Sequence, residues 1–255
     1  MKIYRFKHKN KISFGTLEEE RLYPIEGPVL RKFKISKKWI PIGAVALLPP
    51  VKPSKIIAVG VNYKDHAMER GRSLPKEPLI FLKPPSAIVG PNDIIVYPEM
   101  TKRVDYEGEL ALVMKRKASR LQEKDEVKDF ILGYTCFNDV TARDLQERDV
   151  QFTRAKSFDT FAAVGPCIAT DIDPSQVRIK TFLNGKLRQS GNTGNMIFPV
   201  PYLVKFISQV MTLSPGDIIT TGTPAGVGPM SAGDRVDVQI EGIGTLSNTV
   251  MRIWK

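Results

Sequence analysis

The segment Val104–Val113 (V-D-Y-E-G-E-L-A-L-V) places an acid at every second position and then turns wholly apolar. In an extended chain successive side chains alternate faces, which puts Asp105, Glu107 and Glu109 on one side of a strand. Three like charges beside Leu110-Ala111-Leu112-Val113 repel one another and resist burial. A cation held between them relieves both costs. Further along, Gly133–Asp139 is rich in Tyr, Thr and Phe, reads as another β segment, and also ends on a carboxylate, Asp139. The residues alone fit either a carboxylate metal centre or a surface strand bearing ordinary solvated charges.

Histidine narrows the choice of ion. The chain has 2 histidines, His8 among charged residues near its start and His66. A site of three imidazoles is therefore excluded, and oxygen ligands select a hard cation, Mg²⁺, Mn²⁺ or Ca²⁺. His66 lies in G-V-N-Y-K-D-H-A-M-E (60–69), where one helical turn sets His66 and Glu69 on a shared face. A carboxylate there orients an imidazole and raises its basicity, as a general base acting on water requires. A helix-surface ion pair is the plainer origin of the same spacing. Lys156 leads into the apolar run Phe161–Pro166, where it could meet a substrate carboxylate or enolate, or simply snorkel at the surface. Thr220–Gly228 is glycine-rich without the Gly-Lys-Ser/Thr of a P-loop or the dinucleotide pattern, and reads as a tight turn with exposed amides and hydroxyls, or as a structural turn alone.

These residues must be carried by a scaffold of many short strands. Residues 1–51 read as a small β-rich N-terminal domain, closed by Pro49-Pro50-Val51-Lys52-Pro53, and 52–255 as the catalytic domain. Ile56–Val61, Leu79–Leu82, Ile179–Leu183, Ile218–Thr221, Val236–Ile240, Gly244–Leu246 and Val250–Trp254 read as strands. Two helices are expected, Glu123–Leu132 and Val200–Leu213, the second stopped by Ser214-Pro215-Gly216-Asp217. The class is β-dominated α+β.

Composition sets the outer limits. The 255 residues are 42% hydrophobic and 25% charged, the balance of a globular protein with one large core. No apolar run is long enough to span a membrane, none near the start resembles a signal peptide, and a cytoplasmic protein without a membrane partner is expected. Cys136 and Cys167 stand in apolar or β-like sequence without CxxC spacing and read as reduced core residues. The net charge of +11 is spread along the chain, with no aromatic interleaving and no zinc-finger or RNA-recognition signature. Specific nucleic-acid binding is not expected, and a lysine-rich solvated surface that could draw in a small anion is.

Taken together the segments resemble the fumarylacetoacetate hydrolase family from about Pro53 onward. The resemblance rests on Gly-x-Asn-Tyr-x-x-His-Ala-x-Glu at 60–69, Phe81-Leu82-Lys83-Pro84, Asp105-Tyr106-Glu107-Gly108-Glu109-Leu110 and Asn138-Asp139-Val140-Thr141-Ala142-Arg143-Asp144. Lys156-Ser157-Phe158-Asp159, Pro215-Gly216-Asp217 and Thr221-Gly222-Thr223-Pro224 continue it in the same order. It implies a mixed β-sandwich roll, usually a homodimer, with Mg²⁺ or Mn²⁺ held by Glu107, Glu109 and Asp139. It also implies a water-activating pair, His66 and Glu69, on a lid over 62–78, and Lys156, Gln146 and Thr223 as groups that bind the substrate's oxyanion or carboxylate. Larger members carry a further acidic metal ligand upstream of their histidine and a substrate-contacting tyrosine where this chain has Val150. The shorter acylpyruvase and hydroxymuconate isomerase-like branch is therefore the match. The expected reaction is metal-dependent hydrolysis of a C–C bond in a 2,4-dioxo acid through a metal-bound pyruvate enolate. The alternatives are isomerisation of a hydroxymuconate-type diacid or oxaloacetate decarboxylation on the same site and, outside enzymology, a basic binding protein with a structural ion.

Overall fold

A computed structural model describes residues 1–71 and 73–253. The protein is β-dominated, as its sequence indicates. The largest sheet passes through Lys34–Ile35, Arg21–Glu26, Lys11–Glu18, Lys2–His8, Ala162–Ala169, Ile131–Asp139, Gly108–Met114, Ile218–Thr220, Ile56–Gly60 and Leu79–Lys83. A second sheet orders Ile94–Val96, Gly244–Met251, Arg235–Ile240, Arg178–Leu183 and Lys186–Asn192. A small third sheet joins Thr141–Ala142, Val104–Tyr106 and Gly228–Met230. Among the described residues there are also four α-helices, α1 (Lys64–Glu69), α2 (Arg143–Arg148), α3 (Thr153–Lys156) and α4 (Val200–Val210).

Two-sided burial explains why the central strand has no polar alternation. From Gly108–Met114, Leu110, Leu112 and Met114 enter one apolar cluster, while Ala111 and Val113 enter another on the opposite face. Each fully buried aliphatic side chain of this kind contributes roughly 1.5–3 kcal/mol, so the strand is pinned from both sides. The strand Lys2–His8 pairs with Ala162–Ala169, Lys2 opposite Ala169 and Ile3 opposite Ile168. The residues ahead of the proline segment thus extend the same sheet.

Four expected elements differ. Glu123–Leu132 is not a helix: only Val127–Phe130 make a 3-10 turn, and Ile131 already starts the strand to Asp139. Lys115 N–H donates to Phe130 O at 2.7 Å and Ile131 pairs with Met114, so the sheet edge takes the residues a second helical turn would need. The helix expected over Val200–Leu213 ends at Val210, with Met211 extended. Gly244–Leu246 and Val250–Trp254 are parts of one strand, Gly244–Met251, and Trp254 lies outside the described residues. Its polar middle is accommodated because buried Asn248 donates to Gly90 O at 2.9 Å and Asp93 O at 2.8 Å.

Candidate active site

Antiparallel register assembles the acids. Gly108 pairs with Asn138 and Glu109 with Phe137, so one step beyond the strand Glu107 faces Asp139, whose N–H donates to Glu107 O at 2.9 Å. Glu109 lies two residues along the same face. The result is a cluster in which Glu107, Glu109 and Asp139 each offer an oxygen, all within 4.8 Å of one another and all buried. The Glu107 N–H is held by Asn138 Oδ1 at 2.9 Å.

Asp105 does not join them. The backbone breaks at Glu107, leaving Val104–Tyr106 in the small sheet and Gly108–Met114 in the large one. Asp105 instead accepts from Arg103 Nε at 2.9 Å and Arg143 Nε at 2.8 Å. The expectation of three acids on one open face therefore fails for Asp105, because a shift of sheet removes it.

Charge compensation within the cluster is uneven. Lys156, at the end of α3, bridges Glu107 Oε2 at 2.8 Å and Asp139 Oδ2 at 2.6 Å, and its ammonium sits 5.3 Å from the Phe81 ring centre. It is buried, so the snorkelling reading is wrong. Arg143 Nη2 pairs with Glu107, and Lys83 Nζ with Asp139. Burial alone would raise the Glu107 carboxyl, but the Lys156 and Arg143 charges hold it well below the ordinary carboxylate range. Glu109 has no ion-pair partner among the described residues and accepts the Gly222 N–H at 2.9 Å. Burial, then repulsion from Asp139 and Glu107, push it well above the ordinary range. Burial opposes the Lys156 charge too, but Asp139 and Glu107 raise it overall; in Lys83, burial prevails and the value falls.

This donor set fits a hard divalent ion. Three carboxylate oxygens can converge on one point, and a cation there relieves the desolvation and repulsion concentrated on Glu109.

The imidazole reaches the same cavity from a separate element, α1. Within α1, His66 Nδ1 meets Glu69 Oε2 at 3.1 Å, and Glu69 Oε1 accepts the Gly226 N–H at 2.9 Å. The helix is anchored through Asn62, whose Nδ2 donates to Thr221 O at 2.8 Å and Phe198 O at 3.1 Å while Oδ1 accepts from Phe198 N at 2.8 Å. The glycine-rich turn has a specific use: its amides at Gly222 and Gly226 hold Glu109 and Glu69, one from each side of the site. Gly226 has φ +96°, and a Cβ there would stand 2.2 Å from Arg188 O, so glycine is required.

His66, Glu107, Glu109, Asp139 and Lys156 line one cavity of about 200 Å³, together with Gln146 and Thr223. Arg143 Nη1 donates to Gln146 Oε1. The Thr223 hydroxyl donates to Gly108 O at 2.9 Å and accepts from Gln189 Nε2 at 2.8 Å. Glu69 acts on the cavity only through His66 and the turn, and Val150 is 93% exposed and outside the lining. Sequence reasoning assigned no role to Lys83, Arg143 or Gln189, all buried and hydrogen-bonded to the site. The quoted motifs contain Lys83 and Arg143, but only the pairing of strands reveals which acid each meets.

Fold and site define a β-dominated enzyme with a carboxylate centre able to hold a divalent ion and a braced imidazole beside it. Residues 55–251 match the fumarylacetoacetate (FAA) hydrolase C-terminal family, and residues 1–50 the Rv2993c-like N-terminal family. The chain belongs to the fumarylacetoacetate hydrolase family. It is 43% identical over 224 residues to an oxaloacetate tautomerase of Bacillus subtilis, covering 82% of this chain and 74% of that one. It matches the structure of a 5-carboxymethyl-2-hydroxymuconate delta-isomerase from Mycobacterium smegmatis at 42% identity with a TM-score of 0.92, over 99% of this chain and 100% of the other. A maleylpyruvate hydrolase from Sphingobium in complex with manganese(II) and pyruvate matches at 31% identity and TM-score 0.83, over 100% of each chain. No helix among the described residues is long and apolar enough to cross a membrane.

Proposed function

We propose that this enzyme moves a proton at C3 of a small 2-oxo acid, interconverting its keto and enol forms or shifting its double bond. The observation that supports this most directly is that the Glu69-braced His66 and the three acids line the same small cavity. A divalent ion, Mg²⁺ or Mn²⁺, would take the carboxylate and 2-oxo oxygens and stabilise charge developing there. Glu69 fixes His66 Nδ1, leaving the opposite ring nitrogen to receive the C3 proton. In tautomerisation that proton is delivered to the 2-oxo oxygen, so no co-reactant is consumed. Lys156 and Arg143 restrain the acids and keep Glu107 anionic. Relatives named as a tautomerase and an isomerase favour proton transfer over bond cleavage.

C–C hydrolysis of an acylpyruvate is the second reading, favoured by the maleylpyruvate hydrolase neighbour. Here His66 takes a proton from water, the hydroxide adds to the C4 carbonyl, and the C3–C4 bond breaks. The electron pair goes to C3, which takes the proton back, giving pyruvate and a carboxylic acid.

Deuterium wash-in at C3, followed by NMR with oxaloacetate, hydroxymuconate-type diacids and acylpyruvates plus Mg²⁺ or Mn²⁺, tests the proposal. Enzyme-dependent wash-in without cleavage is expected. Cleavage products with no excess wash-in support hydrolysis instead, and inertness toward the whole panel overturns both.

A further inference from the structure

The cavity lining contains cations with very different commitments. Arg143 spends its guanidinium on Asp105, Glu107 and Gln146, and Lys156 spends its ammonium on Glu107 and Asp139. Arg70 also lines the cavity, yet it makes no ion pair among the described residues, and its Nη2 is buried with no hydrogen-bond partner. Its position is fixed by the end of α1, where its N–H donates to His66 O at 3.1 Å. Burial, and then the nearby Arg143 charge, pull the guanidinium below its ordinary value against the smaller opposing pull of the Glu107, Asp105 and Glu69 charges. A buried donor that bears charge and lacks an acceptor is costly unless an anion completes it.

We propose that Arg70 is a specificity-determining residue that binds the carboxylate at the far end of the substrate, selecting 2-oxo diacids over 2-oxo monoacids of the same length. This rests on the reading that the three acids and their ion hold the 2-oxo acid end. That end is held by the acids, and Arg70 lines the same cavity from the cap of the helix bearing His66. Val61, Leu79, Phe81 and Phe152 give the same cavity an apolar wall suited to a short carbon chain. A guanidinium presents paired N–H donors that match both oxygens of a carboxylate. A monoacid with an alkyl tail fills the same wall but leaves Arg70 unpaired, and a site built around such a donor rejects the ligand lacking its acceptor.

The test compares 2-oxoglutarate with 2-oxopentanoate, equal in carbon number, by calorimetry on the Mn²⁺-loaded enzyme. Wild type is expected to bind the diacid roughly 10–100-fold more tightly, the range for a hydrogen bond to a charged group. Arg70→Gln should weaken the diacid alone and bring the two within about 3-fold, and Arg70→Lys should retain part of the preference. Thermal unfolding of each variant checks that the fold persists, and a merely structural role for Arg70 would weaken both ligands equally. Absence of the preference in wild type, its survival in Arg70→Gln, equal loss of both ligands, or no binding of either overturns the proposal. A diacid preference that obeys Arg70 in an enzyme inert toward every substrate of the panel overturns the proton-transfer reading and leaves Arg70's role standing.

Discussion

The acids and the imidazole reach the same cavity from scaffolds of opposite kind. Glu107, Glu109 and Asp139 stand on or beside strands buried on both faces, in the middle of the largest sheet. His66, Glu69 and Arg70 belong to one helix of six residues and its cap, held by the Asn62 amide and by Glu69 on Gly226. A short helix has little stability of its own and depends on such tertiary ties. The sheet half can therefore concentrate charge that would push a less rigid scaffold apart, while the helix half rests on a few hydrogen bonds. The turn Thr221–Gly226 is the physical link, because its amides end on Glu109 and on Glu69.

That contrast can be broken most forcefully from the sheet side. Glu109→Gln should abolish turnover, a loss of at least ~10³, since it removes a ligand of the ion that stabilises developing charge. Glu107→Gln should do the same but also unfold more easily, by roughly 3–5 kcal/mol, because it strips the partner from two buried cations. The two acids thus predict opposite effects on the metal-free fold. The Glu109 carboxyl is raised in the folded state, so above its unfolded pKa the folded protein pays for ionisation and stability falls as pH rises. Glutamine removes that penalty, and metal-free Glu109→Gln should be more stable than wild type near neutral pH. Denaturant titrations of both variants measure this; the same sign for both would mean the charge accounting is wrong.

From the helix side, His66→Ala should cost roughly 10²–10⁴ in kcat, the range for general acid–base catalysis, with the thermal response to Mn²⁺ intact. Loss of that response would move His66 into the metal shell. Glu69→Gln keeps the shape but weakens the brace, and a smaller loss, about 10–100-fold, is expected, as for other partners that orient a functional histidine. Lys156→Met should depress kcat/KM at low and physiological salt alike, since a buried contact is screened little. Neutralising exposed Lys115, Arg116 and Lys117 should change least of all once salt is present. If the two sets respond identically across an ionic-strength series, Lys156 has no special place in the site.

The same division governs what could be read from sequence. Strand alternation put Glu107 and Glu109 on one face ahead of an apolar run, while the family resemblance was what joined Asp139 to them as a ligand set. Asp105 was misread because the alternation is real but the strand changes sheet at Glu107, a break set by pairing with Thr141–Ala142 and Gly228–Met230. Val127, Phe130 and Ile131 have helical spacing, yet pairing to Met114 overrode it. Lys83 and Arg143 stood in plain view inside recognisable motifs, but their partners lie 56 and 36 residues away and no local pattern names them. Arg70 carried no signal at all, being one basic residue in a basic chain until the cavity showed it unpaired.

The claim on which the rest depends is that Glu107, Glu109 and Asp139 form one divalent-metal site. Thermal unfolding of wild type and Glu109→Gln during a Mn²⁺ titration tests it directly. Wild type should gain stability with the ion, about 2.7 kcal/mol at a hundredfold excess over Kd, while Glu109→Gln should start higher and respond weakly or not at all. No shift in wild type, or an equal shift in both proteins, would contradict the account.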